Sequence, residues 1–298
     1  MLTREWRPPW PVDVGRTLSP HRRGPHDPAF QITPDGAIWR ASHTPDGPGT
    51  LRVVAGHGVV EATAYGAGAE WLLDGLPELL GAGDDPGELD PGHPVVREAV
   101  VRQPGLRIGR TRRVFEALVP AVLEQKVLSL EAWRAWRYLL RRFGEPAPGP
   151  SDGSPELRVP PPPEVWAVIP SWEWHRSGAE AIRARTIMNA ARLASRLELR
   201  ASDERLRSLP GIGVWTSAEI RQRALGDPDA VSVGDYNLPA LVGWALAGTK
   251  VDDAGMLELL APFAGQRYRV TRLLELSGGA LRPPRRGPRM SVRDYRAF

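Results

Sequence analysis

The stretch LPGIGVW (209–215) places two glycines around a single isoleucine, directly before a segment with helical spacing. A two-glycine turn that opens a helix points several backbone N–H groups outward, and the positive end of the helix dipole lies behind them. This arrangement binds phosphate oxygens without any side chain. The alternative interpretation is an ordinary helix–helix turn in which glycine serves only as a cap.

Short helical segments lie on both sides of this turn and predict a helix-hairpin-helix over residues 202–225. Ser202 is suited to cap the first helix, whose first turn carries Asp203 and Glu204. The segment VWTSAEIRQRAL forms the second helix, which ends at Gly226. Such a motif holds a nucleic-acid backbone without reading sequence, because phosphate contacts carry no base information.

A carboxylate follows the motif in the stretch VSVGDYNLP (231–239). Asp235 is either the N-cap of the next helix or a residue that stands outside it. Pro239 argues against the cap, because it would then be the fourth helical residue, where its missing N–H removes the first intrahelical bond. A helix that begins at Asn237 or Leu238 tolerates Pro239 in its first turn. We therefore predict that the Asp235 carboxylate is free to face a cleft.

The combination of LPGIGVWTSAEI with VSVGDY resembles the signature of the helix-hairpin-helix DNA glycosylases, and is most similar to their 3-methyladenine DNA glycosylase II family. The combined motif is far more specific than the two glycines alone. The resemblance covers most of the chain, from a small β-rich part through the helices to the aspartate. It implies an α+β fold that is mainly α-helical, with a small antiparallel β domain at the N-terminus.

The resemblance also implies a role for each residue of the motif. A glycosylase flips a nucleotide out of the duplex and breaks the bond between base and sugar, which builds positive charge on the sugar. Asp235 matches the family's catalytic aspartate, whose carboxylate stabilises that charge and orients water. The hairpin in this family can hold a monovalent cation through its carbonyls, and no other cofactor is implied. The implied DNA-binding residues of the hairpin are Pro210, Gly211, Ile212, Gly213, Val214, Trp215 and Thr216.

Trp215 separates two branches of the family. Members that also cut the strand carry a lysine at this place, which forms a Schiff base with the sugar. Tryptophan lacks that chemistry, and the only lysines of the chain, Lys126 and Lys250, lie outside the hairpin. The resemblance therefore implies a monofunctional enzyme that uses water as its nucleophile. It also places Trp215 beside the base pocket, where an aromatic face suits a cationic alkylated purine; a core tryptophan under the hairpin is the alternative.

Four further positions are implied to contact DNA or to line the base pocket. Gln125 and Lys126 fall where the family has a glutamine followed by a residue that fills the gap left by the flipped base. A lysine there can contact a phosphate or the orphaned base, or remain solvated. Glu219 stands where well-known members place an aromatic wall of the base pocket, and Gly265 replaces another one. The pocket that includes Trp215 and Glu219 therefore differs from the familiar one.

These residues lead to one expected function and two alternatives. We expect a monofunctional DNA glycosylase that excises damaged, alkylated purines in base excision repair by hydrolysing the N-glycosidic bond. The first alternative keeps this mechanism and changes the base to hypoxanthine or uracil. The second alternative is a non-catalytic helix-hairpin-helix protein that binds bent or damaged DNA. Asp235 favours an enzyme, because a binding protein would tolerate its replacement by asparagine.

The elements that must position these residues divide the chain into three parts. Four short strand patterns with turn signals between them predict an antiparallel sheet within residues 1–92. Residues 93–280 have helical periodicity and form the predicted glycosylase core. The tail 281–298 is rich in Arg and Pro, and is either a solvated tail or a DNA contact. We expect residues 1–27 to be an extended lead-in and residues 145–163 to be a stiff connector.

Composition limits the possible partners. The 39 basic and 35 acidic residues give a net charge of +4 and a pI of about 9.8, which mildly favours an anionic partner such as double-stranded DNA. The absence of cysteine excludes thiolate metal sites and iron–sulfur clusters, and the six histidines lack metal-ligand spacing. No signal peptide or membrane span is evident. We therefore expect a cytoplasmic, nucleoid-associated monomer.

Overall fold

The N-terminal part is a five-stranded antiparallel sheet, in a computed structural model that describes residues 1–150, 155–278 and 281. Its strand order is β1-β5-β4-β3-β2. The α+β class expected from the sequence is confirmed, because a mainly helical part follows the sheet. The strands are β1 (Leu2–Trp6), β2 (Phe30–Ile32), β3 (Ile38–Thr44), β4 (Gly47–Gly56) and β5 (Val59–Gly66).

The sheet differs from the sequence prediction at one edge and on one face. Leu2–Trp6 pairs with β5, so the first residues are an edge strand and not an extended lead-in. The predicted connector 145–163 docks on the sheet, because β6 (Glu145–Pro146) pairs with β7 (Arg158–Val159) and Val159 is buried beside Trp39. Backbone pairing satisfies polar groups that a free connector would leave to water, and this favours the docked arrangement.

One helix lies between β1 and β2, and the other helices follow the sheet along the rest of the chain. Those before the hairpin are α1 (Val14–Leu18), α2 (Ala69–Asp74), α3 (Leu76–Leu79), α4 (Pro94–Arg102), α5 (Val114–Leu123), α6 (Ser129–Phe143), α7 (Pro163–Trp166), α8 (Ser171–Ser177), α9 (Ala181–Ala191) and α10 (Ala194–Leu199). Those of the hairpin and beyond are α11 (Asp203–Arg207), α12 (Val214–Ile220), α13 (Leu238–Ala247), α14 (Asp253–Leu260) and α15 (Arg267–Leu276).

The helical part contains two separate hydrophobic cores, and the candidate site lies where they meet. One core surrounds α5 and includes Leu118 and Ile220, so it supports the hairpin. The other surrounds α13 and includes Val242 and Val270, so it supports the residues next to Asp235. The two halves of the motif found in the sequence are therefore carried by different cores.

The segment before the predicted boundary at residue 92 is docked on the second core. The Asp84 carboxylate forms a buried ion pair with Arg269 of α15, and Leu89 packs into the core around α13. The division of the chain at residue 92 stays a prediction. The Arg/Pro-rich tail predicted for 281–298 lies outside the described residues apart from Leu281.

Candidate nucleic-acid interface and active site

The predicted helix-hairpin-helix is present as α11, a turn and α12. The Ser202 hydroxyl accepts a hydrogen bond from the Arg205 N–H at 3.3 Å, so Ser202 caps α11 as predicted. Asp203 ties the two helices together, because its carboxylate accepts from the Ser217 hydroxyl at 2.7 Å and pairs with Arg221 at 3.1 Å. A π-helical turn (Arg221–Leu225) continues α12. The turn is therefore held rigidly from both sides.

The two glycines of the turn differ in whether the fold itself requires glycine at their position. Gly211 has a φ of +89°, and a Cβ there would lie 2.1 Å from the Thr186 hydroxyl oxygen. Gly213 has an ordinary φ of −95°, and a Cβ there would meet no atom within 4 Å. The fold itself thus requires glycine at 211 but not at 213. The open space above Gly213 allows a partner to approach the backbone closely.

The start of α12 offers backbone N–H groups to an external acceptor. Gly213 is its N-cap residue and provides no side-chain cap, and the first N–H groups of any helix lack intrahelical partners. Pro210, Gly211, Gly213 and Val214 are exposed, and Trp215 is half-buried. The side chains of Ile212 and Thr216 are buried and are therefore not available to an external partner.

Gln125 lies against the hairpin. Its side-chain nitrogen donates to the Gly211 carbonyl at 2.9 Å and to the Thr216 hydroxyl at 2.8 Å. Buried Arg183 of α9 donates to the Gln125 carbonyl at 2.9 Å, a contact that sequence reasoning missed. Lys126 follows as an exposed residue with a left-handed φ of +53°, which is uncommon for a side chain of this type. The turn that carries Lys126 is therefore fixed to the hairpin.

Asp235 lies just before α13. Its carboxylate accepts hydrogen bonds and is therefore not free, contrary to the prediction. Its Oδ1 accepts from the N–H groups of Asn237 at 2.7 Å and Leu238 at 2.9 Å. The helix begins at Leu238 with Pro239 in its first turn, as predicted. A carboxylate three residues before the first helical residue still reaches the first amides, as in an Asx-turn. Asp235 therefore stands outside the helix, whose N-cap residue is Asn237, although its carboxylate accepts from the first amides.

The second carboxylate oxygen of Asp235 faces the hairpin. The Trp215 indole N–H donates to Oδ2 at 3.3 Å, which joins the hairpin to the aspartate. Asp235 is half-buried, and the neighbouring Tyr236 is 80% exposed. The carboxylate is thus oriented by three N–H groups and remains accessible from outside. Tyr236 is a large exposed aromatic beside the aspartate that sequence reasoning did not single out.

Glu219 lies beneath the loop that carries Asp235. One of its oxygens accepts from the Ser232 hydroxyl at 2.6 Å, and the other pairs with Arg223 at 2.7 Å. The side-chain nitrogen of Gln222 also donates to the Ser232 hydroxyl at 2.9 Å, and the Asp235 N–H donates to the Ser232 carbonyl at 3.2 Å. The hydrogen bonds of Glu219 therefore support this loop. Its predicted place in the wall of the base pocket stays a prediction.

A cluster of arginines surrounds His21 behind this network. His21, Arg23, Arg40 and Arg223 line one cavity between the sheet and the helices. Burial lowers the pKa of His21 well below its usual 6.5, and the positive charges of Arg40, Arg223, Arg23 and Arg272 lower it further. His21 is therefore neutral in the folded protein at neutral pH.

Acidification is expected to destabilise the fold through His21. Below pH 6.5 the unfolded chain binds a proton at His21 that the folded protein does not, so the free energy of unfolding falls by up to about 1.4 kcal/mol per pH unit. Chemical denaturation at pH 7.5 and 5.5 measures this loss, which should shrink in His21→Gln and persist in the exposed-site control His175→Gln. Equal pH dependence in all three proteins would contradict it.

The described part of the chain has neither a cluster of side chains suited to a metal ion nor a membrane-spanning helix. Residues 1–150, 155–278 and 281 contain no group of three His, Cys, Asp or Glu side chains suited to a metal ion. No helix within those residues is long and apolar enough to cross a membrane. For the monovalent cation implied at the hairpin, the Leu209 and Gly211 carbonyls are candidate ligands; each already accepts one hydrogen bond and keeps a second lone pair.

Sequence comparison relates the chain to a DNA repair protein. No protein-family model matches it. It is 33% identical over 174 residues to the probable bifunctional transcriptional activator/DNA repair enzyme AlkA of Mycobacterium tuberculosis. The match covers 55% of this chain, which spans only 32% of the length of that relative.

Comparison with solved structures identifies the fold. The 3-methyladenine DNA glycosylase of Archaeoglobus fulgidus is similar with a TM-score of 0.76 at 18% identity, over 91% of this chain and 96% of that one. The 8-oxoguanine glycosylase/lyase of Clostridium acetobutylicum, in its apo form, is similar with a TM-score of 0.68 at 13% identity, over 89% and 92%. The comparisons confirm the resemblance found in the sequence and show the helix-hairpin-helix DNA glycosylase fold.

Proposed function

Because the chain has the fold of the helix-hairpin-helix DNA glycosylases, we propose that it is a DNA glycosylase of base excision repair that acts on double-stranded DNA and excises alkylated purines. One observation carries the proposal. The Asp235 carboxylate is hydrogen-bonded to the indole of Trp215, directly beside the start of α12, whose amides have no side-chain cap and suit a phosphate. The AlkA relative is named a DNA repair enzyme, and the Archaeoglobus protein is named for 3-methyladenine.

The site supports hydrolysis of the N-glycosidic bond. The hairpin amides hold a phosphate beside the flipped nucleotide, which brings its sugar toward Asp235. When the bond between C1′ and the base nitrogen breaks, its electron pair leaves with the base and positive charge develops on the sugar. The Asp235 carboxylate stabilises this charge, and a water molecule adds to C1′ and loses its proton. The departing base or Asp235 takes that proton.

The preference for an alkylated purine rests on Trp215. Its half-buried ring borders the carboxylate, and a cationic base is attracted to an aromatic face. Such a base leaves as a neutral molecule, so no general acid is needed. Hypoxanthine and uracil lack that charge and remain the alternative substrates.

The proposed enzyme leaves the strand intact, because tryptophan at 215 cannot form a Schiff base. Lys250 lies beyond the C-terminal end of α13, in a segment that folds back against Gly243 of that helix. Lys126 follows Gln125, which touches the hairpin, so Lys126 is the lysine to examine. Borohydride trapping with the wild type and Lys126→Gln tests this point, and an adduct in either protein would contradict the proposal.

An excision assay on a panel of duplexes tests the function. Matched duplexes carry an alkylated purine, hypoxanthine, uracil or no damage, and released bases are separated by chromatography. We expect release from the alkylated duplex alone or fastest. Preferential release of hypoxanthine or uracil would establish the alternative substrate. Binding without release from any duplex would establish the non-catalytic alternative.

Adding one methyl group at Gly213 is expected to weaken DNA binding without weakening the fold. A Cβ in Gly213→Ala enters open space, but it separates the amides from a phosphate that accepts charge-assisted hydrogen bonds of about 1.5–3 kcal/mol each. We expect a loss of DNA affinity of roughly tenfold or more. Fluorescence anisotropy with a labelled duplex measures this loss.

Gly211→Ala is the matched control for this change. Its left-handed φ and the contact with Thr186 predict a lower free energy of unfolding by about 1–3 kcal/mol. Gly213→Ala should unfold at the same denaturant concentration as the wild type. Wild-type DNA affinity in Gly213→Ala would exclude the hairpin amides as the phosphate site.

A further inference from the structure

Three arginines form an exposed stripe along α9 and α10. Arg185, Asn189 and Arg192 follow one another at intervals of four and three residues, which places them on one face of α9. Arg196 continues the series in α10 and is also exposed. The opposite face, with Ile187 and its neighbours, is buried in the core around α5. We call Arg185, Arg192 and Arg196 the α9 stripe.

The positive charges of the α9 stripe are not neutralised by neighbouring carboxylates. Within the described part of the chain, Arg185 and Arg196 have no hydrogen-bonded or ion-paired side chain, and Arg192 donates only to the Asn189 side chain at 3.0 Å. The nearby Glu198 accepts from the backbone of Val114 and Phe115 and lies beside Arg113.

Two arginines near the α9 stripe are paired with an acid. Arg207 and Arg221, on the helices of the hairpin, pair with Asp203. Other exposed arginines, such as Arg200 and Arg205, also lack an acidic partner among the described residues, so the distinguishing property of the α9 stripe is the spacing that leaves three positive charges close together for an external anion.

The α9 stripe starts beside the phosphate-binding turn. Thr186, which follows Arg185, is the residue that a Cβ on Gly211 would touch, and Arg183 donates to Gln125 under the hairpin. From Arg185 to Arg192, the C-cap residue of α9, the helical rise of 1.5 Å per residue gives a length of about 10 Å, and a turn at residues 192–193 then separates α9 from α10. A length of about 10 Å corresponds to about three base pairs of duplex at 3.4 Å per pair.

We propose that the α9 stripe is a second DNA-backbone contact, which binds phosphates of the duplex that flanks the nucleotide held by the hairpin. This inference rests on the proposed DNA-binding function of the hairpin. It assigns the stripe no part in the bond cleavage and no reading of base sequence, since arginine–phosphate contacts position a protein without base information. Each contact releases a condensed counterion and adds about 0.9 to the magnitude of the salt dependence of binding.

The test is the salt dependence of DNA binding by a charge-neutralised variant. The triple change Arg185→Gln, Arg192→Gln and Arg196→Gln is compared with Arg7→Gln, Arg97→Gln and Arg141→Gln, three exposed arginines on other elements. For the stripe variant we expect the slope of log K against log salt to decrease in magnitude by about 2 to 3. The control variant should bind as the wild type does. Equal slopes in the two variants would overturn the proposal.

Duplex length supplies a second readout. Duplexes with a central lesion are shortened stepwise from one end or the other. The wild type should lose affinity when about three or more base pairs are removed from one particular side, and the affinity of the stripe variant should not change there. A stripe variant that responds to shortening as the wild type does would overturn the proposal.

These results are separable from the proposed function. If the stripe variant shows the expected smaller salt dependence of DNA binding but the wild type releases no base, the proposed DNA contact of the α9 stripe is supported and the glycosylase proposal fails. If the wild type releases base and the stripe variant keeps the wild-type salt dependence of DNA binding, the glycosylase proposal is supported and the proposed DNA contact of the α9 stripe fails.

Discussion

Replacing Asp235 with asparagine is expected to slow base release by roughly 10²–10⁴-fold, because the transition state loses the negative charge of the Asp235 carboxylate. The fold should tolerate the change. The side-chain oxygen of asparagine can still accept from the Asn237 and Leu238 N–H groups, as Oδ1 does now. The new amide N–H₂ would face the Trp215 indole N–H, so only the 3.3 Å hydrogen bond at Oδ2 is lost. Single-turnover release of base measures the effect.

Asp252→Asn provides the matched control for this change. Asp252 caps α14 in the same half of the protein, where its carboxylate accepts from the Gly255 N–H at 2.9 Å. Its replacement removes one acid from a helix start without touching Trp215. We expect wild-type base release from Asp252→Asn and nearly unchanged DNA affinity in both variants. An Asp235→Asn protein that releases base at the wild-type rate would remove Asp235 from the mechanism.

Truncating Glu219 is expected to produce the largest loss of stability among the site residues. In Glu219→Ala the guanidinium of Arg223 stays buried without its carboxylate, and the Ser232 hydroxyl loses its acceptor. Removing one partner of a buried ion pair costs about 3–5 kcal/mol of unfolding free energy. Base release should also decrease, because Ser232 belongs to the loop that carries Asp235. Denaturant titration and single-turnover release measure the two effects.

The paired variant shows whether the loss comes from the unpaired charge. Replacing Glu219 with leucine and Arg223 with methionine together should recover much of the stability, since well-packed apolar residues often replace a buried pair without loss. Exposed Glu258→Ala of α14 should leave stability unchanged. Wild-type stability of Glu219→Ala would show that the pair with Arg223 contributes little to the fold.

The hairpin could be predicted from the sequence because its determinants are local. Two glycines, a serine cap and acidic residues in the first turn all lie within a few residues of the turn that they specify. The start of α13 was predictable for the same reason, since Pro239 restricts which residue opens the helix. The prediction that the Asp235 carboxylate is free was wrong because it considered only caps at the residue next to the helix.

The contacts that connect the site could not be predicted, because they join residues distant along the chain. Gln125 reaches Gly211, Glu219 reaches Ser232 and Trp215 reaches Asp235 only after the two helical cores have packed together. No periodicity or turn signal encodes such pairs. The same limit applies to β1, whose residues become a strand only because β5 offers an unpaired edge.

Base release and strand integrity, measured in the same sample, test the central claim most directly. A duplex with one alkylated purine is incubated with the protein; one portion is analysed for free base, and another is run on a denaturing gel before and after hot alkali. We predict free base, an intact strand before alkali and a single break after it. Absence of free base, or a strand already cut before alkali, would contradict the account.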